Sequence, residues 1–384
     1  MFPNDVKHCL EAVLQGLAQL SLDVDKEVRR ESFRVLSSLF TLVTIDSVQP
    51  FFPVISSYLR CAMTHIQSAI QEDSLFFLDV LIQYCPELIA LNDEAIFSCF
   101  LEMISKLRSE SKPERTLTMN LNSKLSSVKW RTKVLDRLLR MLDIIVTFKT
   151  DRTETRHPTT SEINGTKAIH YEKLGSNNNT LIRSQLVGKC ALLVGQENTK
   201  TESALDVDEG GKIKRYTEVL VPLIFEAWLE VNPKDSCTDG SIREVLISNE
   251  AAQILMIVTN ILVKFWDLMR LTEMEINNKD ITDWFSTTYG VDFCKSFLSG
   301  FPHRQSGGLN VSKKKSKGAA TERDVQESGG SRCHIQNLWI IYMFSNLCIG
   351  KSNSQANKEK TEPEQKYSET VLRYLISINA YYWD

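Results

Sequence analysis

Cys61 and His65 stand four residues apart, one helical turn, close enough to offer a thiolate and an imidazole to one metal ion. Two ligands do not close a zinc site, and no partner set follows at ligand spacing. A packed thiol beside a hydrogen-bonded ring is the plainer use of the pair. His157, His170 and the neighbours Cys333 and His334 lack a second ligand pair too. A phosphate loop would need a glycine five residues ahead of Gly188-Lys189 and a hydroxyl behind it. Arg183 and Cys190 stand there instead. Neither G-x-G-x-x-G nor G-x-S-x-G occurs. No residue is put forward as catalytic, cofactor-binding or metal-ligating, and the expectation is a protein without enzymatic activity or cofactor.

One charged constellation remains. Lys129, Lys133, Arg137 and Arg140 recur at three- and four-residue steps, so they form one face over nearly four turns of a helix. Trp130, Val134, Leu138 and Leu142 run beside them at four-residue steps as the expected buried row. A basic row suits RNA phosphate or an acidic protein surface. Asp136 and Asp143 temper its charge, and an ordinary solvated face would read the same. Lys313-Lys314-Lys315-Ser316-Lys317 sits in a polar stretch as a candidate nuclear-import run.

The elements that must carry such a row are helical. Gln49–Leu91 holds two apolar-periodic segments with a short joint. Val54, Ile55, Tyr58, Leu59, Ala62, Met63 and Ile66 mark the first; Leu75, Leu78, Leu81, Ile82 and Cys85 mark the second. Pro50 and Pro53 fall at the entrance and Pro86 at the exit, and Gln71-Glu72-Asp73-Ser74 is the expected capping joint. One such pair cannot bury its apolar side alone; a stack of pairs can. Asp5–Leu20 and the helix opening at Asp25–Arg29 form an earlier pair. There an acid precedes the helix, and an apolar row runs through Val28, Ser32, Val35, Leu36, Leu39 and Val43. Glu94–Leu107 and Ser126–Phe148 form a later pair across the polar loop Arg108–Asn122. Second helices then begin near Val28, Leu75 and Trp130, 47 and 55 residues apart, near a HEAT or armadillo period.

Beyond residue 149 composition divides the chain. Residues 1–149 are read as helical repeats and 150–215 as a polar insertion with SNNNT and DEGGKIK, broken only by an apolar piece at Leu186–Val194. Residues 216–301 return to helical periodicity. Pro222 is a candidate kink there, and Glu244–Leu271 is read as the longest helix, with Ile254, Ile257, Val258, Ile261, Leu262 and Phe265 on its apolar side. Residues 302–332 form a second linker, and 333–384 a further helical repeat interrupted by polar Lys351–Lys366. The fold class expected is all-α, a HEAT/armadillo-like solenoid with long polar insertions.

Composition sets the outer bounds. A net charge of −3 does not announce a nucleic-acid binder, so any such contact has to be a local patch. Nine cysteines without a C-x-x-C pair, in a chain with no signal-peptide pattern, favour a reducing intracellular compartment. No segment reaches the roughly 20 apolar residues of a membrane span.

PFFP (50–53), AMTHI (62–66) and IQEDSLFFLDVL (70–81), in that order, resemble the central repeats of the testis-expressed protein ten family. Its fungal members are the armadillo-type subunit of the rixosome, which processes the second internal transcribed spacer of pre-ribosomal RNA. SKLSSVKWRTKVLDRLL (123–139) continues the resemblance, as do the helical segments between 216 and 301. The resemblance implies a non-catalytic scaffold in the nucleus, nucleolus and nucleoplasm. Its implied partners are other rixosome-type subunits and pre-ribosomal particles. It also implies that this chain covers the middle of a longer family pattern. The competing expectation is a general armadillo-type adaptor, akin to a transport receptor, that binds basic or Phe-rich peptides.

Overall fold

The computed structural model describes residues 3–109, 112–117, 127–156, 202–232, 246–276, 280–305, 333–354 and 362–383. The chain starts as a helix pair, α1 (Pro3–Gln19) and α2 (Lys26–Leu42), joined through a 3-10 turn at Leu20–Leu22. Asp25 opens α2 by accepting a 2.9 Å hydrogen bond from the Glu27 N–H, a cap contributing about 1 kcal/mol. A short α3 (Ile45–Val48) leads into α4 (Phe52–Met63) and α5 (Ser68–Tyr84). Pro53 lies in the first turn of α4 and Pro86 opens α6 (Pro86–Leu91), where a missing N–H costs nothing. Then come α7 (Asp93–Ile104), α8 (Ser127–Arg156), α9 (Glu202–Val231), α10 (Asn249–Ile276), α11 (Asp280–Phe293), α12 (His334–Ser354) and α13 (Glu362–Trp383).

These helices stack in two rows. In one, α1 packs on α4, α4 on α7 and α9 on α11, while Phe97 of α7 stacks on Tyr216 of α9 at 4.0 Å. In the other, α2 packs on α5, α5 on α8, α8 on α10 and α10 on α12. Contacts in this second row advance together along both partners. Arg29 meets Asp73, Phe33 meets Phe77 and Phe40 meets Tyr84 between α2 and α5. Lys129 meets Glu250, Asp143 meets Lys264 and Lys149 meets Glu275 between α8 and α10. Neighbours in the row therefore run parallel, as stacked repeats require. The core fills the space between the rows, with Leu14, Leu36, Ile55, Leu78, Phe100, Val134, Leu138 and Phe265 all at or near full burial. The fold is all-α and solenoid-like, and Trp130, Val134, Leu138 and Leu142 are the buried row of α8.

Several local expectations shift. The α4–α5 joint lies at Thr64–Gln67, and α5 already begins at Ser68, so Gln71–Ser74 are inside the helix. Asp73 is buried there by its ion partner Arg29, and the Ser74 hydroxyl donates back to Gln71 O at 2.7 Å. Ile66, read as part of the apolar face, is 95% exposed in the joint. On α2 the inward row is Arg29, Ser32, Phe33, Leu36 and Phe40, because α5 supplies Phe77 and Asp73 on that side. Val35 is exposed.

The polar loop read at Arg108–Asn122 begins instead as a hairpin. There β1 (Ser105–Ser109) and β2 (Lys112–Leu117) pair antiparallel, with Ser105 opposite Leu117. A two-residue parallel bridge joins β3 (Leu246–Ile247) to β4 (Arg304–Gln305).

Helices also run into the polar stretches. α8 extends to Arg156, α9 starts at Glu202 and carries Gly210-Gly211, α12 reaches Ser354 and α13 starts at Glu362. At 30 residues each, α8 and α9 exceed α10, which has 28. Leu186–Val194 and Lys313–Lys317 lie outside the described residues. Among the described residues no helix is long and apolar enough to cross a membrane.

Candidate functional site

The basic row lies on α8, between α5 on one side and α10 on the other. Its burial follows the helical period: Trp130 and Leu138 point into the core, and the Trp130 ring N–H donates to Met103 O at 3.2 Å. The four cations turn outward and most meet carboxylates from neighbouring helices. Arg137 Nη2 donates to Asp79 Oδ2 at 3.0 Å and Nη1 lies 3.4 Å from Asp136. Arg140 sits 3.6 Å from Asp79 and 3.2 Å from Asp136. Lys129 reaches Glu250 at 3.3 Å. Lys133 is exposed and has no ion pair among the described residues. Four cations against Asp79, Asp136 and Glu250 leave the face with one net positive charge. The row is brought together as expected, but it acts first as a seam between repeats. Asp136 was the one acid of the three visible from spacing. Asp79 and Glu250 come from other helices, and nothing on α8 could reveal them.

Ionic seams recur along the stack. Arg29, with a side chain 1% exposed, donates through Nε and Nη2 to Asp73 Oδ2 at 3.0 and 2.5 Å. Its Nη1 donates to Asp23 O at 2.7 Å and Val24 O at 3.1 Å. Arg131 is buried on α8 and pairs with Glu230 of α9. Burial lowers its pKa, and the Glu226 carboxylate opposes that. Lys149 reaches Glu209 at 2.7 Å and Glu275 at 3.5 Å, while Lys212 reaches Asp93 at 2.6 Å. Burial alone would raise the Glu209 pKa, but Lys149, Lys212 and Arg152 bring it below the usual carboxylate range. Arg29, Asp73 and Arg131 were missed as functional residues of the fold. The only signal was that each sits on an otherwise apolar face.

Of the cysteine and histidine candidates, His157 and His170 lie outside the described residues. His65 Nδ1 accepts the Gln67 N–H at 3.0 Å in the α4–α5 joint, and Cys61 is an exposed free thiol. Among the described residues no three His, Cys, Asp or Glu gather as a metal site. Burial pushes the Cys85 thiol up to about 12. Two concavities stand out among the described residues. One, of about 20 Å³, is lined by Phe97, Ile145, Lys149 and Tyr216 and is far below ligand size. The other is an open groove of about 860 Å³ over α1, walled by Ala12, Val13, Gly16, Leu17, Leu20 and Tyr58, with Asp23 as its carboxylate.

Residues 46–142, from α3 to the middle of α8, match the model of a family described as a Rix1 complex component involved in 60S ribosome maturation. The family resemblance stands. A curated relative, the testis-expressed protein 10 homolog of Danio rerio, is 27% identical over 340 residues covering 82% of this chain. The chain spans 35% of that relative's length. A solved structure of an engineered protein covers 68% of this chain and 96% of its own at 10% identity, with a TM-score of 0.26. That value carries no argument about the fold.

Proposed function

We propose that this chain is a non-catalytic scaffold subunit of a Rix1-type nuclear complex that matures the large ribosomal subunit and acts where pre-ribosomal spacer RNA is removed. The observation that carries this is the position of the family match. It covers α4, α5, α7 and half of α8, the consecutive pairs that build the stack and its ionic seams. A stack of parallel helices offers a long surface to partner proteins, and a few buried anchors on such a surface supply most of the affinity. The chemistry then belongs to partner subunits, and the workplace is the nucleolus and nucleoplasm.

Affinity purification of the tagged chain from nuclear extract, with mass spectrometry, tests this. Recovery of a preformed complex with pre-60S proteins supports it. Recovery of transport factors alone, or loss of the chain without any change in spacer-containing precursor RNA, removes it. Direct RNA contact is assigned to Lys133 and the exposed end of Lys129. Lys133→Glu leaves every ion pair named above intact, so unchanged salt-dependent RNA binding in that variant eliminates the contact. The adaptor reading draws on the apolar groove over α1. It requires isolated Phe-rich peptides to bind the chain by itself.

A further inference from the structure

Phe76, at 47%, is the only exposed aromatic side chain among the described residues. Its neighbour Phe77 is buried and stacked on Phe33, so one ring of the pair holds the repeats together and the other faces water. Phe76 lies in the middle of α5, inside the stack, with α2 on one side and α8 on the other. Three residues on, Asp79 meets Arg137 of α8 at 3.0 Å. The two helices run parallel, so one turn earlier on each of them Phe76 and Lys133 come side by side on the outward face. Lys133 is the cation of that face without an ion pair among the described residues. Asp79 and Asp136 are held by Arg137 and Arg140, and Glu72, one turn before Phe76, has an interaction of its own. On the α2 side Arg30 and Arg34 are paired with Glu27 and Glu31 at the surface, where such pairs are weak and open readily to a phosphate.

We propose that Phe76 and Lys133 form a site for single-stranded RNA, the ring stacking on an unpaired base and the ammonium holding an adjacent phosphate. This rests on the RNA contact assigned to Lys133 above and names the form of RNA that the contact takes. A phenyl ring on a helix face offers only stacking, and a duplex has both faces of its bases covered. An anchor for a protein partner needs an apolar surround. Among the described residues no other large apolar side chain of α5 or α8 is exposed. A lone aromatic ring among cations is instead the arrangement by which single strands are held without regard to sequence.

Fluorescence anisotropy of the full chain with a labelled oligouridine of about 12 nucleotides tests this, with the same strand annealed to its complement as the duplex probe. Circular dichroism checks that each variant keeps its helix content. Phe76→Ala is expected to weaken single-strand binding roughly tenfold and to leave its salt dependence unchanged, because no phosphate contact is lost. Duplex binding is expected to be the same in Phe76→Ala as in the parent. Lys133→Glu is expected to weaken binding and flatten its salt dependence. Phe76→Trp is expected to bind at least as tightly as the parent, with its added indole emission quenched by the strand. Single-strand binding by Phe76→Ala equal to the parent's overturns the stacking site; if Lys133→Glu is weakened in the same assay, the RNA contact survives without it. Equal losses on both probes in Phe76→Ala also overturn it, as does loss of a protein partner from that variant with RNA binding untouched. A parent that binds neither probe removes the RNA contact and this site together, and leaves the scaffold reading to its own purification test.

Discussion

Replacing Asp73 by Asn strips the buried Arg29 guanidinium of its counter-charge while keeping side-chain volume. Removing one partner of a buried pair costs roughly 3–5 kcal/mol, because the surviving charge stays desolvated. Arg29 keeps its bonds to the Asp23 and Val24 carbonyls, so the lower end applies, about 3 kcal/mol. In a stack of repeats that loss falls on the α1–α2 pair and its contact with α5, and remote helices are spared. Hydrogen exchange read by mass spectrometry resolves this. Amides of α2 are expected to exchange roughly 100-fold faster in Asp73→Asn, with α10 unchanged. The double variant Arg29→Met with Asp73→Leu removes both charges and is expected to recover to within about 1 kcal/mol of the parent. If Asp73→Asn leaves α2 exchange unaltered, or the apolar double variant is as damaging as the single one, then the pair is not a desolvated charge pair.

Gly16→Ala is expected to stabilise by up to about 1 kcal/mol in chemical denaturation, because a Cβ there meets nothing within 4 Å and glycine is a poor helix former. Gly210→Val is expected to destabilise, since a Cβ already sits 3.3 Å from Ile281 Cδ1 and a branched side chain adds to the crowding. His303 is buried against Trp228, its Nε2 bonded to Phe297 O at 3.0 Å, and burial holds its pKa below the ordinary 6.5. The fold therefore accommodates the neutral ring. Its contribution is full above pH 6.5 and is lost as pH falls from there toward the depressed folded value. Melting temperature should drop from pH 7.5 to pH 5.5 by more in the parent than in His303→Gln. At pH 8, Ellman's reagent should titrate Cys9 and Cys61 quickly and Cys85 only on unfolding, since Cys85 is buried and its thiol is raised to about 12.

Helix content, pairing and the order of pairs follow from periodicity. Leu10 and Leu14, Ile55 and Leu59, Leu78 and Leu81, and Trp130 through Leu142 are spaced for one buried side, and water enforces that spacing wherever the helices lie. The same periodicity misplaced α2. Its sequence carries apolar residues on two sides, and only the arrival of Phe77 decides that Phe33 goes inward and Val35 outward. The α5 start was misplaced because Asp73 and Ser74 have the chemistry of a cap. A buried arginine 44 residues away makes an aspartate welcome in mid-helix instead.

For the candidate site, spacing alone determined that Lys129, Lys133, Arg137 and Arg140 share a face of one helix. Tertiary structure alone decided that Arg137 and Arg140 also meet Asp79, and Lys129 meets Glu250, leaving Lys133 outward. A side chain's place on its helix is fixed by a local angle of about 100° per residue, which any sequence displays. Its electrostatic partner is fixed by which helices the core draws together, and that is a property of the whole stack.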